Sequence, residues 1–464
     1  MKNLTIKDII KVTNGELITG NEKHICKNYS RDSRQIKKGD CYIGIKGENF
    51  DGSKFWKEAL DNGADCIIVQ NINFSDDEIN KYKYKNIIKV NNTLDALQKI
   101  AEYKRSLYNI SVIGITGSVG KTSTKDIIAN VVSQKYKTMK TKGNNNGQIG
   151  LPFTILSMQD EEVLVVEMGM NHFGEMRKLT KIAKPNICVF TNIGTSHIGI
   201  LGSRENILKA KMEMLEGAEN QTIVINNDND LLHKWYEENE KKVNIKTFGI
   251  NEKSELNAKN IKLEENNSTF TCNIDGKEEK IKVPVGGEHY ILNTLCAITV
   301  GKLLNIEVDK IKRGIESFEL TSKRMEITEL ENGTKIINDA YNASFESMAA
   351  SLKVLSEYKE NRKIAVLGDM FELGEFSKEL HEKVGEEVAK NNIDILICSG
   401  ENSKYIVKKA KENMNTENIY YLEKKEEILN ILEKILKSGD IVLFKASNGM
   451  KFYELVEKII SKKL

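Results

Sequence analysis

The stretch Ile110-Ser111-Val112-Ile113-Gly114-Ile115-Thr116-Gly117-Ser118-Val119-Gly120-Lys121-Thr122 decides how this chain is read. Its first half is largely apolar and β-branched on both faces, as a central parallel strand must be when helices cover both sides. The glycines that follow let successive backbone N–H groups converge on phosphate oxygens. The helical pattern from Ser123 to Val132 turns its positive end toward the same point. Lys121 can reach the β- and γ-phosphates, and the Thr122 hydroxyl can ligate Mg2+. Thr116, Gly117, Ser118, Val119, Gly120, Lys121, Thr122 and Ser123 are therefore expected to hold ATP. The loop departs from G-x-x-x-x-G-K-[ST], because Ile115 occupies the first glycine position and Gly117 lies only three residues before Gly120.

A Mg2+-ATP site also needs an acidic ligand at the carboxyl end of a neighbouring strand. Glu167 fits, since it ends the apolar run Val163 to Val166. His197 follows the strand Ile187 to Thr191 into a loop expected on the same edge. Standing alone, a glutamate at a strand end is usually solvated, and a loop histidine usually has no special task. Beyond them come a strand at Thr222 to Ile225, a helix at Leu292 to Leu304 and a boundary near Phe318.

Upstream, strands at Cys41 to Ile45 and Cys66 to Val69 alternate with helices at Phe55 to Asn62 and Thr93 to Leu107. Downstream, strands at Lys335 to Ile337, Lys363 to Leu367, Asp394 to Ile397 and Ile441 to Phe444 predict a Rossmann-like unit without the G-x-G-x-x-G fingerprint. A chain of 464 residues exceeds one hydrophobic core. The expected architecture is α/β in three domains: 1–108, small; 109–318, a parallel-sheet ATPase unit; and 319–464.

Composition excludes several classes. With 40% hydrophobic and 29% charged residues the chain is an ordinary globular protein. Its 69 basic and 67 acidic residues nearly cancel, so no global positive field serves nucleic acid, and any phosphate must be gripped locally. Met1 to Asp8 lack a signal-like apolar core, and no run approaches a membrane span, so a soluble, unexported protein is expected. Seven cysteines without a C-x-x-C pair argue against a disulfide framework and a zinc knuckle, leaving buried, reduced thiols in strands. The polar stretch Asn251 to Ser268 reads as hairpins or surface loops.

The ordered set of central motifs resembles the Mur ligase family along essentially the whole chain. It comprises Thr116 to Thr122, Gly143-Asn144-Asn145-Asn146-Gly147-Gln148-Ile149-Gly150-Leu151-Pro152, Glu167, Ser196-His197 and Ala210-Lys211-Met212-Glu213. The resemblance implies that Thr122 and Glu167 hold one Mg2+ while His197 and Lys211 serve a second, Lys211 as a CO2-derived carbamate. It further implies that Lys121, Glu167, His197 and Lys211 are catalytic, that Asn293 meets the adenine, and that Arg324 and Asp339 reach the phosphates and the ribose from the third domain. From residues alone, Lys211 would be one more solvated lysine on a helix running from Glu205 to Glu216.

The outer domains narrow the resemblance. Asp32-Ser33-Arg34, Lys38-Gly39-Asp40 and Lys46-Gly47-Glu48-Asn49-Phe50-Asp51-Gly52 resemble the family's uridine-nucleotide domain, with Ser33 and Arg34 at the uracil and phosphate end. Val366-Leu367-Gly368-Asp369-Met370-Phe371-Glu372-Leu373-Gly374 is similar to the segment of the members that add D-alanyl-D-alanine, and the D-N-P-[RA] motif of the diaminopimelate-adding members is missing. The implied substrates are UDP-MurNAc-tripeptide and D-Ala-D-Ala, met also by Asn144, Asn146 and Asn342, in a monomeric cytoplasmic enzyme that closes on binding.

Three segments depart from the family pattern: Gly147 replaces an asparagine, Ser344-Phe345 replaces Asn-Pro, and Lys445-Ala446-Ser447-Asn448 replaces K-G-S-R. All are expected near substrate. A folylpolyglutamate synthase is disfavoured by the loop and the first domain. A catalytically silent scaffold would have no need of Lys121, Glu167, His197 and Lys211 together.

Overall fold

The structure, a computed structural model, describes residues 2–47, 50–216, 221–319 and 323–462. Glu48 and Asn49 of the first-domain motif, and Met1, lie outside the described residues. The fold is α/β in three units, each built on its own sheet.

The central sheet has seven parallel strands in the order Leu256–Asn257, Asn244–Gly249, Thr222–Asn226, Ile187–Phe190, Ser111–Thr116, Val163–Glu167, Thr138–Lys140. Ser111–Thr116 occupies the interior, as its two-sided apolar pattern requires, with Val112, Ile113 and Ile115 fully buried. Each such side chain contributes about 1.5–3 kcal/mol on leaving water. Register then fixes function: Glu167 pairs with Ile115, and Phe190 with Thr116, so three strands end at one edge. The chain reverses direction across the sheet at this strand, and a crevice outside the carboxyl ends follows.

The first unit carries a five-stranded sheet ordered Glu16–Thr19, Asn86–Lys89, Cys66–Val69, Cys41–Ile43, Tyr29–Ser30. A ribbon of Leu4–Thr5 with Ile25–Cys26 lies beside it. The third unit's six-stranded sheet is parallel except where Glu326–Glu329 runs antiparallel to Lys335–Asn338.

The polar stretch expected as hairpins or loops folds into an antiparallel sheet of Lys259–Leu263, Ser268–Ile274 and Lys277–Val283. Ser268, Phe270, Cys272 and Ile274 alternate inward, and Asp275 and Gly276, both at positive φ, make the two-residue turn. No helix among the described residues is long and apolar enough to cross a membrane.

Candidate active site

The strand ends open into a cavity of about 710 Å3 lined from all three units. Its floor is the loop before the helix Lys121–Val132. Asn192, two residues beyond the neighbouring strand's end, takes up the first half of that loop. Its side-chain oxygen accepts from the backbone N–H of Ser118 (3.1 Å) and Val119 (2.9 Å). The N–H groups of Gly120, Lys121, Thr122 and Ser123 have no acceptor among the described residues, and all four residues line the cavity. Four orphan amides at a helix N-terminus form an anion cradle.

Two glycines make the turn possible. Gly120 has φ 80°, and a Cβ on Gly117 would sit 1.9 Å from Thr191 Oγ1. Thr116 and Gly117 lie beneath the cavity rather than in its wall. Lys121 Nζ folds back to donate to Gly117 O (2.8 Å) and Ser118 O (3.2 Å).

Glu167 is 3% exposed. Thr122 Oγ1 donates to its Oε2 at 2.9 Å, and Asn146 Nδ2 donates to its Oε1 at 2.7 Å. Adjacent oxygens of an octahedral Mg2+ shell, at metal–oxygen distances of 2.0–2.1 Å, stand roughly 2.9 Å apart. The Thr122–Glu167 pair therefore fits one edge of such a shell.

Lys211, 1% exposed on the helix Arg204–Met212, lines the same cavity. It has neither an ion pair nor a hydrogen bond among the described residues. Burial, and then the charge of Lys121, push its ammonium well below the ordinary lysine range. His197 has φ 67°, uncommon for any residue but glycine, and heads the short helix Ile198–Leu201. Its Nδ1 lies 2.6 Å from Glu372 Oε2, off the hydrogen-bond direction.

The third unit closes the cavity. Arg324 stacks on Tyr341, its Cζ 4.1 Å from the ring centroid, with a buried and unpartnered Nε. Asp339 accepts from Met325 N, Ser351 Oγ and the buried Lys445 Nζ, the last at 2.5 Å. Asn342 and Asn144 stand exposed in the wall. Asn293 accepts from Thr124 Oγ1 at 3.0 Å and lies against Gly120, with its Nδ2 buried and unpartnered. Ser33 is buried and Arg34 pairs with Asp32; neither lines the cavity.

Three family models match the chain: "Mur ligase family, catalytic domain" over residues 26–105, "Mur ligase middle domain" over 115–301 and "Mur ligase, glutamate ligase domain" over 323–448. The chain belongs to the Mur ligase family.

Among Mur ligases, it is 34% identical to the UDP-N-acetylmuramoyl-tripeptide--D-alanyl-D-alanine ligase of Bacillus subtilis, across 99% of both chains. It superposes on MurF from Acinetobacter baumannii with a TM-score of 0.88 at 25% identity over 99% of each. MurF ligase from Thermotoga maritima, solved in complex with ADP, gives 0.82 at 31% identity over 94% of this chain and 99% of that one.

Several residues of this Mur ligase's site went unassigned in the sequence. Arg31, rather than its neighbours Ser33 and Arg34, carries the first unit's charge to the cavity. Glu346 accepts from Thr195 N (2.7 Å) and Thr195 Oγ1 (3.1 Å), and Glu372 O accepts from Gly199 N (3.0 Å), so the third unit clasps the loop that carries His197. Asn192 and Glu346 act through contacts between separate strands and units, and no local pattern marks them; Lys445 stands in the segment that replaces K-G-S-R, but its pairing with Asp339 comes from strand packing. Asn448, standing where the family has arginine, donates to Tyr341 O.

Proposed function

We propose that this Mur ligase joins D-alanyl-D-alanine to UDP-MurNAc-tripeptide, converting ATP to ADP and phosphate in the cytoplasm as a monomer. The names of its relatives support that choice of substrates. The observation that carries the ATP chemistry is the row of four unpaired amides from Gly120 to Ser123, facing Glu167, His197 and Lys211 in one cavity. Residues 1–108 would hold the uridine nucleotide, 109–318 the ATP and 319–464 the incoming dipeptide.

The residues divide the work. The cradle and Lys121 hold the triphosphate while the tripeptide carboxylate attacks the γ-phosphorus and the bond to the bridging oxygen breaks, releasing ADP. The dipeptide amine then adds to the acyl carbon and gives up a proton to solvent, and phosphate leaves with the electron pair of the C–O bond. Positioning and charge neutralisation carry most of the rate, as in phosphoryl transfer generally.

Thr122 and Glu167 would hold one Mg2+, and His197 with Lys211 a second; when bound, the ions neutralise the phosphate oxygens. Carbamylation requires an uncharged amine, and the burial of Lys211 without a counter-charge favours that form. Its carbamate would give a hard cation the anionic oxygen that lysine lacks. Asn293 would meet the base, and Arg324 and Asp339 would complete the nucleotide site, Arg324 by its bidentate fork.

The test is phosphate release with UDP-MurNAc-tripeptide and D-Ala-D-Ala, with diaminopimelate in place of the dipeptide as control. Release that needs both substrates is expected. Nucleotide binding without turnover would instead indicate a silent scaffold. Lys211→Ala should abolish turnover, and excess bicarbonate should not restore it; near-normal turnover would refute the carbamate.

A further inference from the structure

Cys26, Cys41 and Cys66 are separated by 15 and 25 residues and carry no metal-motif spacing, yet the first unit brings them together. The parallel register places Tyr29, Cys41 and Cys66 in one row across three strands, and therefore on one sheet face. Cys26 reaches that face from the ribbon that pairs Leu4 with Cys26. The three Sγ atoms lie within 4.8 Å of one another, and the three residues are at most 1% exposed. All seven cysteines are free and buried, as expected, and strand pairing rather than spacing along the chain makes the cluster.

We propose that Cys26, Cys41 and Cys66 form a structural site for a soft divalent cation of the Zn2+ class, bound as three thiolates. Sulfurs bound at about 2.3 Å to one such ion lie roughly 3.8–4.0 Å apart, so an inward shift of less than about 1 Å completes the site. Binding is a proton exchange without redox change: three S–H bonds lose their protons to solvent as three metal–sulfur bonds form, leaving one net negative charge.

A second observation answers that charge. Tyr29 Oη is buried and has no hydrogen-bond partner. An orphan hydroxyl in this position is costly unless it donates to a thiolate or fills the fourth place on the ion.

The site has a structural purpose. A ribbon of two short strands is marginal in water by itself. The cluster would tie that ribbon, and the helix Ile6–Thr13 that follows Thr5, to the sheet that presents Arg31 and Ser33.

The experiment uses the full chain purified without chelator, with Zn2+ followed by native mass spectrometry and Cd2+ by its thiolate charge-transfer absorbance. One ion per chain is expected, retained in His197→Ala, which removes a nitrogen from the nucleotide cavity, and in Cys398→Ser. Cys26→Ala should weaken binding more than about 100-fold, beyond what an outer-shell change costs. Equal binding by Cys26→Ala, or no ion in the unaltered chain, overturns the proposal. If Cys26→Ala does not fold, alkylation mapping of the unaltered chain decides: metal should shield Cys26, Cys41 and Cys66 and leave Cys188, Cys272 and Cys296 unchanged. Any other set of shielded thiols refutes the site.

Discussion

A single methyl group at Gly117 should disable nucleotide binding without touching nucleotide. The Cβ of Gly117→Ala would fall 1.9 Å from Thr191 Oγ1, 3.1 Å from Thr191 Cβ and 3.2 Å from Asn192 N. That hydroxyl cannot swing aside freely, because it donates to Val119 O at 2.7 Å and so ties the loop to the strand beside it. Overpacking a tight site costs about 1–3 kcal/mol, and the lost hydrogen bond about 1 more. If the loop alone absorbs the resulting strain of about 2–4 kcal/mol, ATP affinity falls roughly 30- to 700-fold.

Calorimetry separates the outcomes, since strain borne by the fold lowers Tm and strain borne by the loop lowers affinity. Thr191→Ala supplies the second arm of a double-mutant cycle. It removes Oγ1 and should cost about 1 kcal/mol alone, while the double variant should be better than additive by about 1–2 kcal/mol. Wild-type affinity and Tm in Gly117→Ala, or strict additivity in the cycle, would refute the steric argument.

Asn293→Ala should weaken nucleotide binding about 10-fold, because its buried Nδ2 has no protein partner and is left for the ligand, and should cost the free enzyme about 1 kcal/mol through the hydrogen bond its Oδ1 accepts from Thr124; equilibrium dialysis with ADP reads the first and urea unfolding the second. Glu346→Ala removes the acceptor of two hydrogen bonds from Thr195, so the ligand-bound enzyme should stay more open, and X-ray scattering that shows unchanged compaction would contradict this.

Lys104, 1% exposed, donates to Leu156 O at 2.6 Å, and burial lowers its pKa to about 8. The folded chain holds that proton less tightly than the unfolded chain, so unfolding takes up a proton between about pH 8 and the ordinary 10.5. Stability should therefore rise with pH across that window by at most about 3 kcal/mol. Lys104→Met should remove the rise, measured by urea unfolding at several pH values.

What the sequence disclosed followed from local order. Ser111–Thr116, its loop and its helix are contiguous, so hydrophobic pattern and glycine placement show them directly. Glu167 was legible because a strand end is a place on a sheet as well as in a chain. Lys211 was legible only through resemblance; its distinguishing property, a lysine buried without a counter-charge, comes into being when the helix Arg204–Met212 packs. The grip of Asn192 on the loop, the clasp of Glu346 on Thr195 and the meeting of three cysteines each join positions that only sheet register or unit packing brings together.

The site divides into a part fixed by folding and a part left to the ligand. Asn192 and Thr191 occupy the polar atoms of the loop up to Val119, so the cost of ordering that half is met when the sheet forms. The next four amides and the side chains of Lys211 and Arg324 line the cavity, the amides, the Lys211 amine and the Arg324 Nε without a partner among the described residues, which leaves them free for anionic oxygens. Lys121 rests on two carbonyls of its own loop, an interaction a phosphate can replace with a stronger one. A chain of nearly zero net charge thus concentrates its attraction for a triphosphate in a few groups that folding has left unsatisfied. Binding energy is then available for drawing Arg324 and Glu346 toward the central unit, the same movement that assembles the catalytic groups.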